Sequence, residues 1–111
     1  MSPSTAIART PEPPYYAVIF TSKRSEGDHG YEAMAARMVE LGSKHDGFLG
    51  IDSVRDAAGI GITVSYWRDE ATIMAWKRDE EHQRAQHGGK DLWYVDYEVR
   101  IAKVERAYGK V

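Results

Sequence analysis

Tyr15-Tyr16-Ala17-Val18-Ile19-Phe20 is an unbroken run of aromatic and aliphatic residues, closed by Thr21-Ser22-Lys23-Arg24. It is rich in aromatic and β-branched side chains and too short for a helix, which predicts a strand. Its apolarity does not alternate from residue to residue, so both faces of this strand are expected to be buried. Upstream, all four prolines (Pro3, Pro11, Pro13 and Pro14) mix with Ser2, Ser4 and Thr5. Residues 1–14 therefore read as a poorly ordered lead-in that delivers the chain extended into the strand.

Downstream, Ser25-Glu26-Gly27-Asp28 offers a helix start, with Asp28 or Ser25 as cap. Tyr31, Met34, Ala35, Met38 and Leu41 then form one stripe of an amphipathic helix that Gly47 ends. His45, near the negative end of that helix, is fully explained by its favourable position on the dipole. Phe48 to Val54 reads as a second strand, Asp56-Ala57-Ala58-Gly59 as a hairpin turn, and Ile60 to Trp67 as a third strand. Ile60, Ile62, Val64 and Tyr66 share one face of that strand, and Gly61, Thr63, Ser65 and Trp67 the other. Gly59-Ile60-Gly61 lies between strands and opens no helix, so it is no phosphate-binding loop.

Asp69 caps a second helix containing Ala71, Ile73, Met74 and Trp76. Asp79 is expected to cap a short polar third helix, Glu80 to His87, stopped by Gly88-Gly89. Trp93 to Val104 is the last strand, and a bulge would account for the pattern shift at Ala102 and Val104. Strand, helix, strand, then strand, helices, strand is a split βαβ repeat. It predicts an α+β, ferredoxin-like domain over residues 15–108, with a four-stranded antiparallel sheet, helices on one face and a short tail at 109–111. The other sheet face then needs a cover, and a symmetric homodimer, sheet facing sheet, supplies one.

The bulk composition excludes several classes. At 111 residues the chain fits one domain. A net charge of −2 gives no basic excess for nucleic acid or anionic membrane. The absence of cysteine removes disulfides, thiolate metal sites and cysteine nucleophiles. No apolar run approaches the roughly 20 residues of a membrane span, and a cytoplasmic location is the default expectation.

Several stretches resemble one family: Pro14 to Phe20, Met34 to Leu41, Asp46-Gly47-Phe48-Leu49-Gly50, Ile62 to Trp67, Trp76-Lys77, Glu81-His82, Trp93-Tyr94 and Val99 to Val104. Together they resemble the antibiotic biosynthesis monooxygenase-like (ABM) family, in particular its small uncharacterised bacterial members associated with stress. The resemblance implies a dimeric α+β barrel with a pocket between helices and sheet. Characterised relatives include cofactor-independent oxygenases of electron-rich phenols and haem-degrading oxygenases; others have no known activity.

Oxygenation without a cofactor needs a substrate that becomes an electron-rich anion, together with a base, an orienting hydrogen bond and a dry aromatic wall. The expected catalytic residues are His82 and Trp76. Ser65, Tyr66, Trp67, Trp93 and His87 are the expected contacts to a small aromatic molecule, with no cofactor and no metal. Each has a plainer reading. Tryptophans at a helix–sheet boundary are ordinarily packing, His82 sits on a polar surface helix, and His87 suits a helix C-terminus. His82 and His87 stand at i, i+5 and diverge, unlike the i, i+4 pair of a zinc site. Both characterised chemistries of the family use an asparagine, and this chain contains none. A monooxygenase, a non-catalytic binder of the same fold and a haem protein, in that order, are the readings carried forward.

Overall fold

The structure, a computed structural model, describes residues 7–86 and 92–110, with the backbone alone at 84–86. The elements are β1 (Tyr15–Arg24), α1 (Tyr31–Ser43), β2 (Phe48–Arg55), β3 (Ile60–Trp67), α2 (Glu70–Gln86) and β4 (Tyr94–Val104). The strands form one antiparallel sheet in the order β2-β3-β1-β4, the ferredoxin-like arrangement. β1 lies between β3 and β4, which is the physical reason for its unbroken apolar run. It also extends through Thr21–Arg24, because both neighbours take up the backbone groups there.

Two expectations about local structure are corrected. There is no separate third helix: α2 continues through Asp79 to Gln86. Asp79 does not cap anything, and its carboxylate instead meets His45 Nε2 at 2.9 Å. The bulge is not at Ala102 and Val104, which stay in register opposite Ala17 and Tyr15. It lies at the other end of β4, where Lys23 faces Asp96 but Arg24 faces Tyr94, leaving Val95 as the extra residue.

The carboxylates expected at the starts of α1 and α2 do bond amides there. The Asp28 carboxylate accepts from the amides of Gly30 and Glu32 at 2.8 and 3.1 Å, although Gly30, at φ 80°, is the residue that flanks the helix. Asp69 Oδ1 accepts from both the amide and the hydroxyl of Thr72, at 2.8 and 2.7 Å. Those two bonds, the hydroxyl first, hold the Asp69 carboxyl below its ordinary range, and Arg68 adds to them.

The helices lie over β2, β3 and β1. The row of β4 on the helix side is left open, with Val99 43% and Ile101 50% exposed. On the opposite face Ile60, Ile62 and Val54 are exposed too. That face is not wholly bare, however. The Ala8 amide bonds Asp52 Oδ1 at 2.7 Å and Thr10 Oγ1 bonds the Tyr15 hydroxyl at 2.7 Å, so part of the lead-in lies against it. Among the described residues no helix is long and apolar enough to cross a membrane.

Candidate functional site

The helix-facing side chains of the sheet alternate with those of the opposite face, and between them and the helices lies a cavity of about 200 Å³. Its floor is Val18 and Phe20 from β1, Ile51 and Ser53 from β2, and Thr63, Ser65 and Trp67 from β3. Its roof is the α1 stripe Tyr31, Ala35, Met38, Val39 and Gly42, together with Trp76 and Glu80 one turn apart on α2. Phe48 and Tyr94 close its ends. The floor carries a short polar row. Ser53 and Thr63 share a hydrogen bond of 2.7 Å across β2 and β3, and Ser65 accepts from Trp67 Nε1 at 2.8 Å.

One end is an aromatic wall. Trp67, only 1% exposed, stacks on Trp76 with ring centres 6.1 Å apart and planes inclined by 19°. Phe48 meets Trp67 edge-on at 5.3 Å. The His45 ring meets the edges of both tryptophans at 6.2 and 5.9 Å, and is fixed there by its bond to Asp79. Gly42 of α1 lies against the pair with room to spare: a Cβ at that position would make ordinary contact, 3.7 Å from Trp76 and 3.8 Å from Trp67.

The other end is built around Tyr31, the first residue of α1. The Arg24 guanidinium lies 3.7 Å from the Tyr31 ring centre, and that of Arg55 lies 5.8 Å away. Arg24 donates to the carbonyls of Trp93, Gly27 and Asp28. Arg55 donates to the carbonyls of Ser22 and Gly59 and to the Ser22 and Tyr31 hydroxyls. Arg55 reaches across β3 at Gly61, where any Cβ would meet its guanidinium carbon at 2.5 Å. Only glycine admits that crossing.

The residues anticipated from the sequence divide. Ser65, Trp67 and Trp76 come together at the cavity. Tyr66 points to the opposite face, where its hydroxyl donates to Asp52 Oδ2 at 2.8 Å. Burial first, then that bond and the nearby negative charge, push its phenol from 10.0 up to about 12. Trp93 is buried just before β4 and donates from Nε1 to the His29 carbonyl at 3.0 Å, outside the lining. His82 lies on an exposed position of α2 and does not line the cavity. His87 lies outside the described residues. Among those described, no group of three or more His, Cys, Asp or Glu is placed to hold a metal.

Sequence reasoning missed Glu80, Tyr31 with its two arginines, and His45. A signal for Glu80 existed: it follows Trp76 at i, i+4 and shares its helix face. Reading a helix break at Asp79 concealed it.

A family model described as antibiotic biosynthesis monooxygenase matches residues 14–88. Over 100 residues the chain is 54% identical to the uncharacterised protein YqjZ of Bacillus subtilis, covering 90% of this chain and 88% of that one. It is 29% identical over 94 residues to the jasmonate monooxygenase ABM of Pyricularia oryzae, covering 80% of this chain but 43% of that protein. Among solved structures, SnoaB of Streptomyces nogalater, a cofactor-independent oxygenase, superposes with a TM-score of 0.70 at 11% identity. The match covers 88% of this chain and all of SnoaB. At that identity the likeness is one of fold.

Proposed function

Because the chain belongs to the antibiotic biosynthesis monooxygenase family, we propose that it is a cofactor-independent monooxygenase. Its substrate is a small electron-rich aromatic or quinone-like molecule held in the helix–sheet cavity. The observation that carries this reading is an aromatic cavity whose described lining includes one carboxylate, Glu80. A dry wall of Trp67, Trp76 and Phe48 beside a proton acceptor is what oxygenation without a cofactor requires of a protein. The names of two similar proteins, a monooxygenase and a cofactor-independent oxygenase, support the same class.

In this reading Glu80 takes the role first assigned to His82. It accepts a proton from a phenol, and the resulting anion reduces dioxygen. One oxygen atom joins a ring carbon as a carbonyl in place of its hydrogen, and the other leaves as water. A phenol plus dioxygen thus gives a quinone plus water, with the substrate supplying all the electrons. Ser53 and Thr63 orient the ring oxygens from the floor, and the tryptophans keep bulk water from the anion.

The test is oxygen uptake with 1,5-dihydroxynaphthalene. Glu80→Gln is expected to lower kcat by roughly a hundredfold or more, the ordinary weight of a general base, while His82→Ala keeps the wild-type rate. Wild-type turnover in Glu80→Gln would remove that residue from the mechanism. A non-catalytic binder of the same fold is the second reading, favoured by the absence of asparagine from the chain. Ligand binding by the wild type without oxygen consumption would support it. The haem reading is disfavoured by the cavity, whose volume of about 200 Å³ lies below the ~300–1,000 Å³ usual for pockets that hold drug-sized molecules.

A further inference from the structure

We propose that the Tyr31 end of the cavity is an oxyanion subsite. It takes the carboxylate or phenolate oxygen of an apolar ring acid, with Tyr31 as donor and Arg55 and Arg24 as its electrostatic backing. Three observations converge there. Arg24 and Arg55 both pack on one tyrosine ring, yet neither forms an ion pair with a described carboxylate. Their hydrogen bonds go to carbonyls and hydroxyls, which satisfy N–H groups and leave both charges without a carboxylate counter-ion among the described residues. Of the acids near them in the chain, Asp28 accepts from the Gly30 and Glu32 amides and Asp56 from the Ile60 amide, and neither meets a guanidinium.

The second observation concerns the Tyr31 hydroxyl. It accepts from Arg55 Nη2 at 3.4 Å, and among the described residues nothing accepts its own proton. A phenol that receives from a guanidinium has a polarised O–H to give, and Tyr31 lines the cavity. The third is rigidity. Arg24 lies on the Tyr31 ring and Tyr94 meets it edge-on at 5.7 Å, so the donor is held before any ligand arrives.

Tyr31 opens α1, so the positive end of that helix adds to the same field. Glu80, also on the lining, supplies the opposite sign. A ring acid that is already an anion would therefore bind with that oxyanion at Tyr31, and a second, neutral ring hydroxyl is the one presented to Glu80.

The inference rests on the cavity being the ligand site proposed above, but it needs no turnover. It is tested by titrating the full chain with 2-naphthoate and with its neutral counterpart 2-naphthylmethanol at pH 7, followed by calorimetry. The acid is expected to bind about tenfold or more tighter, since a hydrogen bond to a charged group outweighs a neutral one by that factor. Tyr31→Phe keeps the ring under Arg24 and is expected to erase the preference while leaving the alcohol's affinity unchanged. Equal affinity for both ligands in the wild type would overturn the subsite, as would a preference that survives Tyr31→Phe. Binding of neither probe would overturn it too. 2-Naphthol separates the two oxyanions: a naphtholate absorption spectrum when bound at pH 7 assigns the phenolate, and an unshifted spectrum assigns the carboxylate. Acid-selective binding with no oxygen uptake would sink the oxygenase and leave the subsite standing.

Discussion

Gly42 and Gly47 stand five residues apart on either side of the α1–β2 turn, and both are buried. Alanine should act on them with opposite signs. At Gly42 an added Cβ falls 3.7 Å from Trp76 and 3.8 Å from Trp67, ordinary van der Waals contact, in a helical backbone with no positive φ. Removing glycine's freedom from a helix is worth about 0.5–1 kcal/mol, and burying one methyl adds about 0.8 kcal/mol. Gly42→Ala is therefore expected to stabilise the fold by about 1–2 kcal/mol, at about 4–8 °C in Tm per kcal/mol for a domain near this size.

At Gly47 the same Cβ would sit 2.7 Å from Thr72 Cγ2 and 2.8 Å from Thr72 Cβ, with Oγ1 nearer still. Thr72 cannot retreat cheaply. It is buried, and its amide and hydroxyl both hold the Asp69 cap of α2. Gly47→Ala should then cost about 1–3 kcal/mol, the usual penalty for overpacking. Urea unfolding at constant m-value measures both changes. A destabilised Gly42→Ala, or two variants that shift the same way, would refute the packing described between α1, β3 and α2. Because Gly42 also lines the cavity, its alanine variant should bind 2-naphthoate less well while unfolding later.

Two further outcomes are expected. The Tyr66 phenol, raised to about 12 by burial and its bond to Asp52, keeps its proton in the folded state after the unfolded chain has lost it near 10. Its contribution is thus complete below pH 10 and is lost as pH climbs toward 12. Urea midpoints should fall more steeply from pH 9 to 11 in the wild type than in Tyr66→Phe, and parallel slopes would contradict the account. The sheet face opposite the helices is proposed as the contact with a second copy, so the chain should sediment at twice 12.5 kDa. Ile62→Glu on that face should yield monomers, and Ile101→Glu on the helix side should not; the reverse pattern would place the interface along β4.

The strands were legible because each carries its own evidence: alternation in β3, an unbroken apolar run in the central β1. The site was legible only in part. Trp67 and Trp76 announced a wall by their position on elements that face each other. Glu80 did not, because Asp79 has the look of a helix cap and a break there destroys the i, i+4 relation to Trp76. A cap needs a helix start, and nothing before Asp79 interrupts α2. His82, two residues past Glu80, is turned about 200° around the helix axis by the ordinary 3.6-residue period and so leaves the cavity. His45 read as a solvated terminal charge, since its contact with Asp79 spans 34 residues that no local pattern links. Arg24, Tyr31 and Arg55 come together only through the sheet register.

That register carries more than the fold. Along β3, Ser65 and Trp67 face the cavity while Val64 and Tyr66 face away, so a slip of one residue would exchange the floor of the site for the opposite face. Arg55 is placed to prevent this. From the end of β2 it crosses Gly61 of β3, bonds the carbonyl and hydroxyl of Ser22 on β1, and reaches the Tyr31 hydroxyl on α1. A carboxylate partner would hold the guanidinium equally well but would cancel its charge. Carbonyls and hydroxyls hold it and leave the charge for the cavity. One side chain thereby ties the alignment of three strands to the field at one end of the site. Replacing Arg55 would disturb both at once, whereas Tyr31→Phe removes a single hydroxyl and leaves the clasp intact.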